Sequence, residues 1–402
     1  MPLGTMSTHS CYQDFTMIIT ALSLASFSVP ALPQDDEALI PPGECALHAA
    51  VSDGEAWLNL RWRYELVDTD ATTSLSTLRT VLGYKSAPFS GFTGLVEFED
   101  VSLFGFAHNE AAGGIADSKS TEVNRVHLDY SLDDDQTLSL GRQRIKRGNL
   151  RWIGNVGWRQ NEQTYDALSL SGSFGGVDVF LAGIENANTV LGTDREMNSL
   201  LFDVTGDVTD HIHFGAYVYD IDFDDTPDAS TTTTGGYLNA RYGTSMDIDW
   251  RLEFAQQSDS GDSTVELSES YLLADVGLGK GHWHAGISYE VLGGDGIASV
   301  QAPLATLHAW NGLADQFLVT PVSGLKDLNI DFGWEQGSWA ASIALHDFKA
   351  DELSGNYGEE VDVSVVHTCD SGAKVGLKYA DYSADEFGSD VTKTWIWLGM
   401  SF

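Results

Sequence analysis

A period of two runs through most of this chain. In residues 58–66, Leu58, Leu60, Trp62, Tyr64 and Leu66 share one face, and Asn59, Arg61, Arg63 and Glu65 share the other. In residues 247–254, Ile248, Trp250, Leu252 and Phe254 oppose Asp249, Arg251 and Glu253. Residues 211–220, 328–334, 361–366 and 373–380 repeat the pattern. Alternation of this kind is the signature of a strand with two unlike faces. About 18 such segments follow one another between residues 56 and 402.

The connections sort by length as well. Long links at 185–197, 222–233, 257–266 and 293–326 alternate with tight ones near 133–135, 172–173, 208–210, 244–246, 279–281 and 336–337. A soluble sandwich has no reason to place its long loops on one rim. A barrel that crosses a bilayer does, and most segments are near the roughly 9–11 residues a tilted crossing needs. Beyond the N-terminus no run approaches the roughly 18 apolar residues of a membrane helix, so a membrane-spanning version of this chain must be a closed barrel. The last residues agree: Ile396, Leu398, Met400 and Phe402 lie on one face and the chain ends on an aromatic. The expected fold is all-β: a transmembrane antiparallel β-barrel of about 18 strands with long external loops folding into the lumen. An even strand number puts both termini on the short-turn, periplasmic rim.

Residues 17–29 form an apolar run followed by Pro30-Ala31, which suits a signal peptide over 1–31, although no Lys or Arg precedes Arg61. Residues 32–55 read as a flexible periplasmic N-terminal segment and 56–402 as the barrel. The expected location is the outer membrane of a Gram-negative bacterium, with its lipid as the surrounding partner. A net charge of −38 argues against a nucleic-acid partner, whose phosphates it would repel.

Chemistry-bearing motifs are sparse. No GxSxG, HExxH or Walker loop occurs, so neither an enzyme nor a cofactor is expected. His282 and His284 share the inward face, and Glu97 and Glu99 form an inward carboxylate pair that would balance neighbouring arginines. The acidic run 220–228 lacks the EF-hand ligand spacing and reads as a solvated loop, so no metal site is expected. Cys45 and Cys369, one near each end, are candidates for a disulfide in an oxidising compartment.

One stretch departs from the acidic background. Of 21 Lys and Arg, six fall within residues 138–167: Arg142, Arg144, Lys146, Arg147, Arg151 and Arg159. Strand counting puts 146–162 between the fifth and sixth strands on the long-loop rim. By parity Arg61, Arg63, Arg79, Arg125, Arg241, Arg251, Lys374 and Lys378 also point inward, with Glu65, Glu97, Glu99, Asp129, Asp249, Glu253 and Asp275. Such charges are costly against lipid but set selectivity in a water-filled lumen, or brace it as salt bridges.

The runs LSLGRQ, RWIGNVGWRQNEQTYDA (151–167), APLATLHAWNGLADQFL (302–318) and GLKDL (324–328) resemble the core of the alginate-export family of outer-membrane barrels. The resemblance implies an 18-stranded monomeric channel. It implies that Arg142, Arg144, Arg147, Arg151 and Arg159 belong to the pore mouth or constriction. It also implies an inward-folded second loop, with Trp310 placed either to stack on a sugar or to anchor the loop, and Asn311 and Asp315 offering polar contacts. The expected function is facilitated diffusion or export of an anionic saccharide, alginate-like or smaller, through an Arg-lined constriction. A general or cation-favouring porin is the alternative, followed by a barrel adhesin or outer-membrane enzyme.

Overall fold

The computed structural model describes residues 46–108, 114–243, 245–352 and 354–402. Eighteen strands follow in chain order: β1 (Glu55–Asp68), β2 (Thr72–Lys85), β3 (Phe92–His108), β4 (Ser120–Ser131), β5 (Gln136–Gln143), β6 (Thr164–Phe174), β7 (Val177–Asn188), β8 (Asp194–Thr209), β9 (Ile212–Ile221), β10 (Thr231–Gly243), β11 (Asp247–Asp259), β12 (Ser268–Lys280), β13 (Trp283–Leu292), β14 (Leu325–Gln336), β15 (Trp339–Lys349), β16 (Asn356–Thr368), β17 (Lys374–Ala384) and β18 (Val391–Ser401). Each pairs antiparallel with its neighbours in sequence, and β1 pairs with β18. Arg63 sits opposite Trp397 on one side and Thr77 on the other, so the barrel closes in register. Closure leaves no strand edge unpaired, as a bilayer requires.

The two faces of the strands explain why the sheet curls this way. Leu252 and Phe254 of β11 project outward and are 52% and 57% exposed, while Arg251 and Glu253, which alternate with them, are ion-paired inside. Leu140, Leu168, Leu200, Ile287, Phe332 and Leu398 continue an exposed apolar exterior around the barrel. An apolar outside and a charged inside is the reverse of a soluble protein and fits a lipid surround.

The rims sort by loop length. One carries the long β5–β6 loop (144–163) and β13–β14 loop (293–324), and the other carries tight turns at 175–176, 281–282 and 337–338. The β1–β2 link (69–71) is a short member of the long-loop rim. Two strands run further than their alternation suggests. β3 continues to His108 through an irregularity opposite Leu75–Thr77, and β8 starts at Asp194.

In place of a loose segment up to residue 55, residues 46–52 form a short helix, α1 (Ala46–Ser52). Ala50 is buried there, and its carbonyl accepts from the Ala87 amide in the β2–β3 turn. Cys369 carries a free thiol in the short β16–β17 turn. Its expected partner Cys45 lies outside the described residues, as do the expected signal peptide and most of the segment after it.

Candidate functional site

The β5–β6 loop enters the barrel and crosses it. At its start Arg144 pairs with Glu162 at its end, which draws the base of the loop together. Burial raises the Glu162 carboxyl, but Arg144 outweighs that and holds it below the usual range. Arg147 reaches Asp203 on β8. Trp152 Nε1 donates to Tyr217 on β9 (2.7 Å), and its ring packs edge-on against Tyr271 on β12. Arg151 lies 2.9 Å from Glu290 on β13. On the opposite wall, Arg61 of β1 donates to Gln160 (2.7 Å) and to the carbonyls of Gly157 and Arg159.

The β13–β14 loop folds in beside it. The two join through a parallel bridge between Ile153 and Leu304. Gly154 N–H donates to Leu304 O (2.8 Å) and Thr306 N–H to Leu150 O (3.0 Å). A Cβ at Gly154 would lie 2.2 Å from Thr306 Oγ1, so only glycine lets the loops approach this closely. Val156 holds a left-handed φ of 49°, unusual for a β-branched residue. Its N–H bonds to Thr306 Oγ1 (3.2 Å) and its carbonyl accepts from Arg159 (3.0 Å), contacts that offset a strain of about 1–3 kcal/mol.

The tip of the second loop is tight. Asn311, Gly312 and Asp315 all have positive φ. The turn is anchored on β16, where Ala314 N–H donates to Glu360 (2.7 Å) and Leu313 N–H to Asp362 (3.1 Å). Asn311 bonds Glu290 (2.6 Å), Asp327 and Arg151.

Where the loops meet they form a buried polar septum. Asp315 accepts from Arg159 (2.7 Å), His308 Nδ1 (2.8 Å) and Lys393 Nζ (3.0 Å). Arg159 also holds Glu65 on β1 (3.1 Å), and Arg63 pairs with Asp117 from the β3–β4 connection. Burial would raise the Asp315 carboxyl, but the facing His308, Lys393 and Arg159 hold it well below the usual carboxylate range. Burial pushes the His308 imidazole down to about 4, against the pull of Asp315. A neutral His308 then donates from Nδ1 to Asp315 and offers Nε2 to Lys378, 3.4 Å away. Trp158 stacks on His308 with centroids 4.9 Å apart and planes 6° apart, edge-on to Trp395 and Trp397.

A cavity opens on each side of the septum. Toward the long-loop rim, one of about 480 Å³ has Arg159, Asp315 and Lys393 among its lining residues, with apolar Val67, Ile115 and Leu318. On the other side, one of about 530 Å³ is lined by His308, Trp310, Asn311 and Lys378, and by Asp275, Asp331 and several serines.

The basic cluster expected from sequence is therefore brought together only in part. Arg151 and Arg159 lie in the two loops' shared core, and Arg61 and Arg63 meet them from β1. Arg142 pairs with Asp166 (2.8 Å), Arg79 with Glu99, Arg125 with Glu97 (2.6 Å) and Arg251 with Glu253 (2.6 Å), each against a wall. Lys146 is exposed, and Arg241 sits at the short-turn rim, 74% exposed, 3.8 Å from Asp247. Trp310 lies under Arg151 at 5.2 Å, one face of its ring occupied by that guanidinium. In the 220–228 run, Asp220 accepts from Thr232 (2.7 Å) and Asp228 from Thr264. Sequence reasoning did not single out His308, Lys393, Trp158, Asp117 or Glu162. His308 sits inside the 302–318 run but alternates with nothing, and Lys393 lies on a strand whose apolar face drew the attention.

This is a closed 18-stranded antiparallel β-barrel. The chain resembles Pseudomonas aeruginosa OccK9 (OpdG), with a TM-score of 0.70 and 12% identity over 88% of this chain and 99% of that one. It resembles Acinetobacter baumannii OccAB2, with a TM-score of 0.72 and 13% identity over 88% and 99%. It also resembles P. aeruginosa OpdK, solved with vanillate, with a TM-score of 0.68 and 13% identity over 88% and 99%. At these identities the likeness is one of fold. No protein-family model and no curated protein matches the sequence.

Proposed function

We propose that the protein is a passive outer-membrane channel of a Gram-negative bacterium for a small solute that carries a carboxylate. The observation that carries this reading is the septum. Two inward loops divide the lumen; Arg159 and Lys393, both held by Asp315, line the cavity on its long-loop side, and Lys378, with no carboxylate within 4.0 Å among the described residues, lines the cavity on the other. Arginine and lysine at a narrowing of low dielectric attract anions and favour carboxylates by geometry. The long-loop rim faces outward and the short-turn rim faces the periplasm. A single chain suffices to form the pore, since β1 and β18 close the barrel. The solute structure of the similar OpdK contains vanillate, an aromatic carboxylate, which supports the same class here.

The resemblance to alginate exporters supports an anionic saccharide as the cargo, because both resembling runs contribute to the septum. Cavities of about 480 and 530 Å³ suit a monomer or short oligomer better than a continuous polymer. A cation-favouring channel is the second reading, motivated by Asp275 and Asp331 in the inner cavity and by the acidic total charge. Reversal potentials across planar bilayers in a KCl gradient decide between them. A chloride-favouring sign and a block of current by monomeric uronate support the first. A potassium-favouring sign with no uronate block supports the second.

A further inference from the structure

We infer that Lys378, rather than the arginine cluster, is the residue that selects the solute, and that the solute is a hydroxylated carboxylate of monosaccharide size. This rests on the channel reading above and names the point in the lumen where it acts.

The arginines are already engaged. Arg144, Arg147, Arg151, Arg159 and Arg251 each lie within ion-pair distance of a carboxylate. A passing anion gains little from a guanidinium whose fork is filled, because it must first displace an equally charged partner. Lys378 differs. It lines the inner cavity, and among the described residues no carboxylate stands within 4.0 Å of its ammonium. From further away it is repelled by Arg63 and Arg159 and attracted by Asp315 and Asp362.

An ammonium has three donors. One points to His308 Nε2 at 3.4 Å, and the charge rests on the face of Trp158, 3.7 Å from the ring centroid. Those two contacts hold the side chain in place without neutralising it. The remaining donor faces a cavity of about 530 Å³. A pre-positioned, unneutralised cation beside a roomy polar space is what a carboxylate binds best.

The neighbours define the rest of the ligand. Ser364 is directly opposite Lys378 in the β16–β17 register, and Ser342 is opposite Ser364 across β15–β16. Both serines line the same cavity. With strands spaced about 4.8 Å apart, the three residues form an inward row roughly 10 Å long. It offers one cation followed by two hydroxyls. Asn329 and Asp331 extend the polar wall from β14. A carboxylate on Lys378 would leave ring hydroxyls over the serines. An apolar acid would leave those hydroxyls with no partner.

The test uses the purified full chain in planar bilayers and compares block of the KCl current by glucuronate with that by glucose, which differs in lacking the carboxylate. Wild type should be blocked at lower concentration by glucuronate. Lys378→Met should raise the glucuronate blocking concentration relative to glucose by about tenfold, the size of a lost charge-assisted hydrogen bond. Lys378→Arg should retain most of the preference, which a purely structural role for the lysine stem would not require. Heat-modifiable gel mobility confirms that each variant is a folded barrel. A folded Lys378→Met channel with the wild-type ratio overturns the assignment to Lys378. A wild-type channel that does not distinguish the two solutes overturns the carboxylate reading itself, and the assignment with it.

Discussion

Replacing Asp315 by Asn should unseat the septum while leaving the barrel closed. Asp315 is the one carboxylate shared by Arg159 at 2.7 Å, His308 at 2.8 Å and Lys393 at 3.0 Å, and it is buried. The amide is isosteric, so the change removes charge rather than volume. Arg159 keeps Glu65 as a partner at 3.1 Å, but Lys393 loses the only carboxylate within 4.0 Å of it among the described residues. Removing one partner of a buried ion pair costs about 3–5 kcal/mol. Because Arg159 keeps half of its pairing, we take the lower end, about 3 kcal/mol. At about 1.4 kcal/mol per factor of ten, that shifts the balance between seated and unseated loop by roughly a hundredfold.

The barrel should not share that loss, since its closure rests on the strand ladders and the β1–β18 pairing. The measurement is single-channel recording of Asp315→Asn beside wild type at one salt concentration. The expected result is a larger or noisier open current and a shift of the reversal potential toward chloride, because one negative charge has left the septum. A variant that folds, yet matches wild type in conductance, noise and reversal potential, would show that the septum does not limit the pore.

Two further outcomes follow from the same geometry. Burial holds His308 down at about 4, below the ordinary 6.5 of an imidazole, and Asp315, Lys378 and Arg159 face it, so its contribution to loop seating is complete above about pH 6.5 and is lost as pH falls through about 4. Channel noise should therefore rise on acidification across that window, and His308→Phe should flatten the dependence; an unchanged slope in the variant would remove His308 as the cause. Leu252 is 52% exposed on the lipid face, so Leu252→Lys should cost about 2–4 kcal/mol of folding stability if it lies near the bilayer midplane, read as a lowered urea midpoint for refolding into vesicles.

The barrel was legible because its two signals are local. Side-chain alternation in β1 or β11 needs no knowledge of partners, and the 132–135 and 337–338 turns punctuate the chain at the right places. Deviations occur where a third influence enters. β3 outruns its alternation because an irregularity lets its end pair on, and α1 forms where the Ala50 carbonyl finds the Ala87 amide. The septum was half legible. The density of Arg and Gly marked the β5–β6 loop, and the resemblance marked the β13–β14 loop. What no local signal carries is which acid each base meets. Arg159 finds Glu65 and Asp315 at sequence separations of 94 and 156, and those pairings decide the charge that a solute feels.

That point changes what the basic island does. Arg144 ties the two ends of its loop, while Arg147, Arg151 and Arg159 reach β8, β13 and β1, so the cluster braces a loop across the lumen from wall to wall. A loop of this length pays a large conformational entropy to be held inside a water-filled barrel, and the buried Ile145, Trp152, Ile153 and Leu304 offset part of it by apolar packing that does not by itself fix one register. Paired charges in a confined, low-dielectric space supply the missing specificity, because each arginine fork fits one carboxylate and leaves another unsatisfied if it slips. The acidic excess of the chain then has a structural use, since each of these arginines has an acid waiting on another element. It also follows that counting arginines along the sequence cannot predict selectivity. The selective field belongs to the charges that pairing leaves over, with Lys378 on one side of the inner cavity and Asp275 on the other.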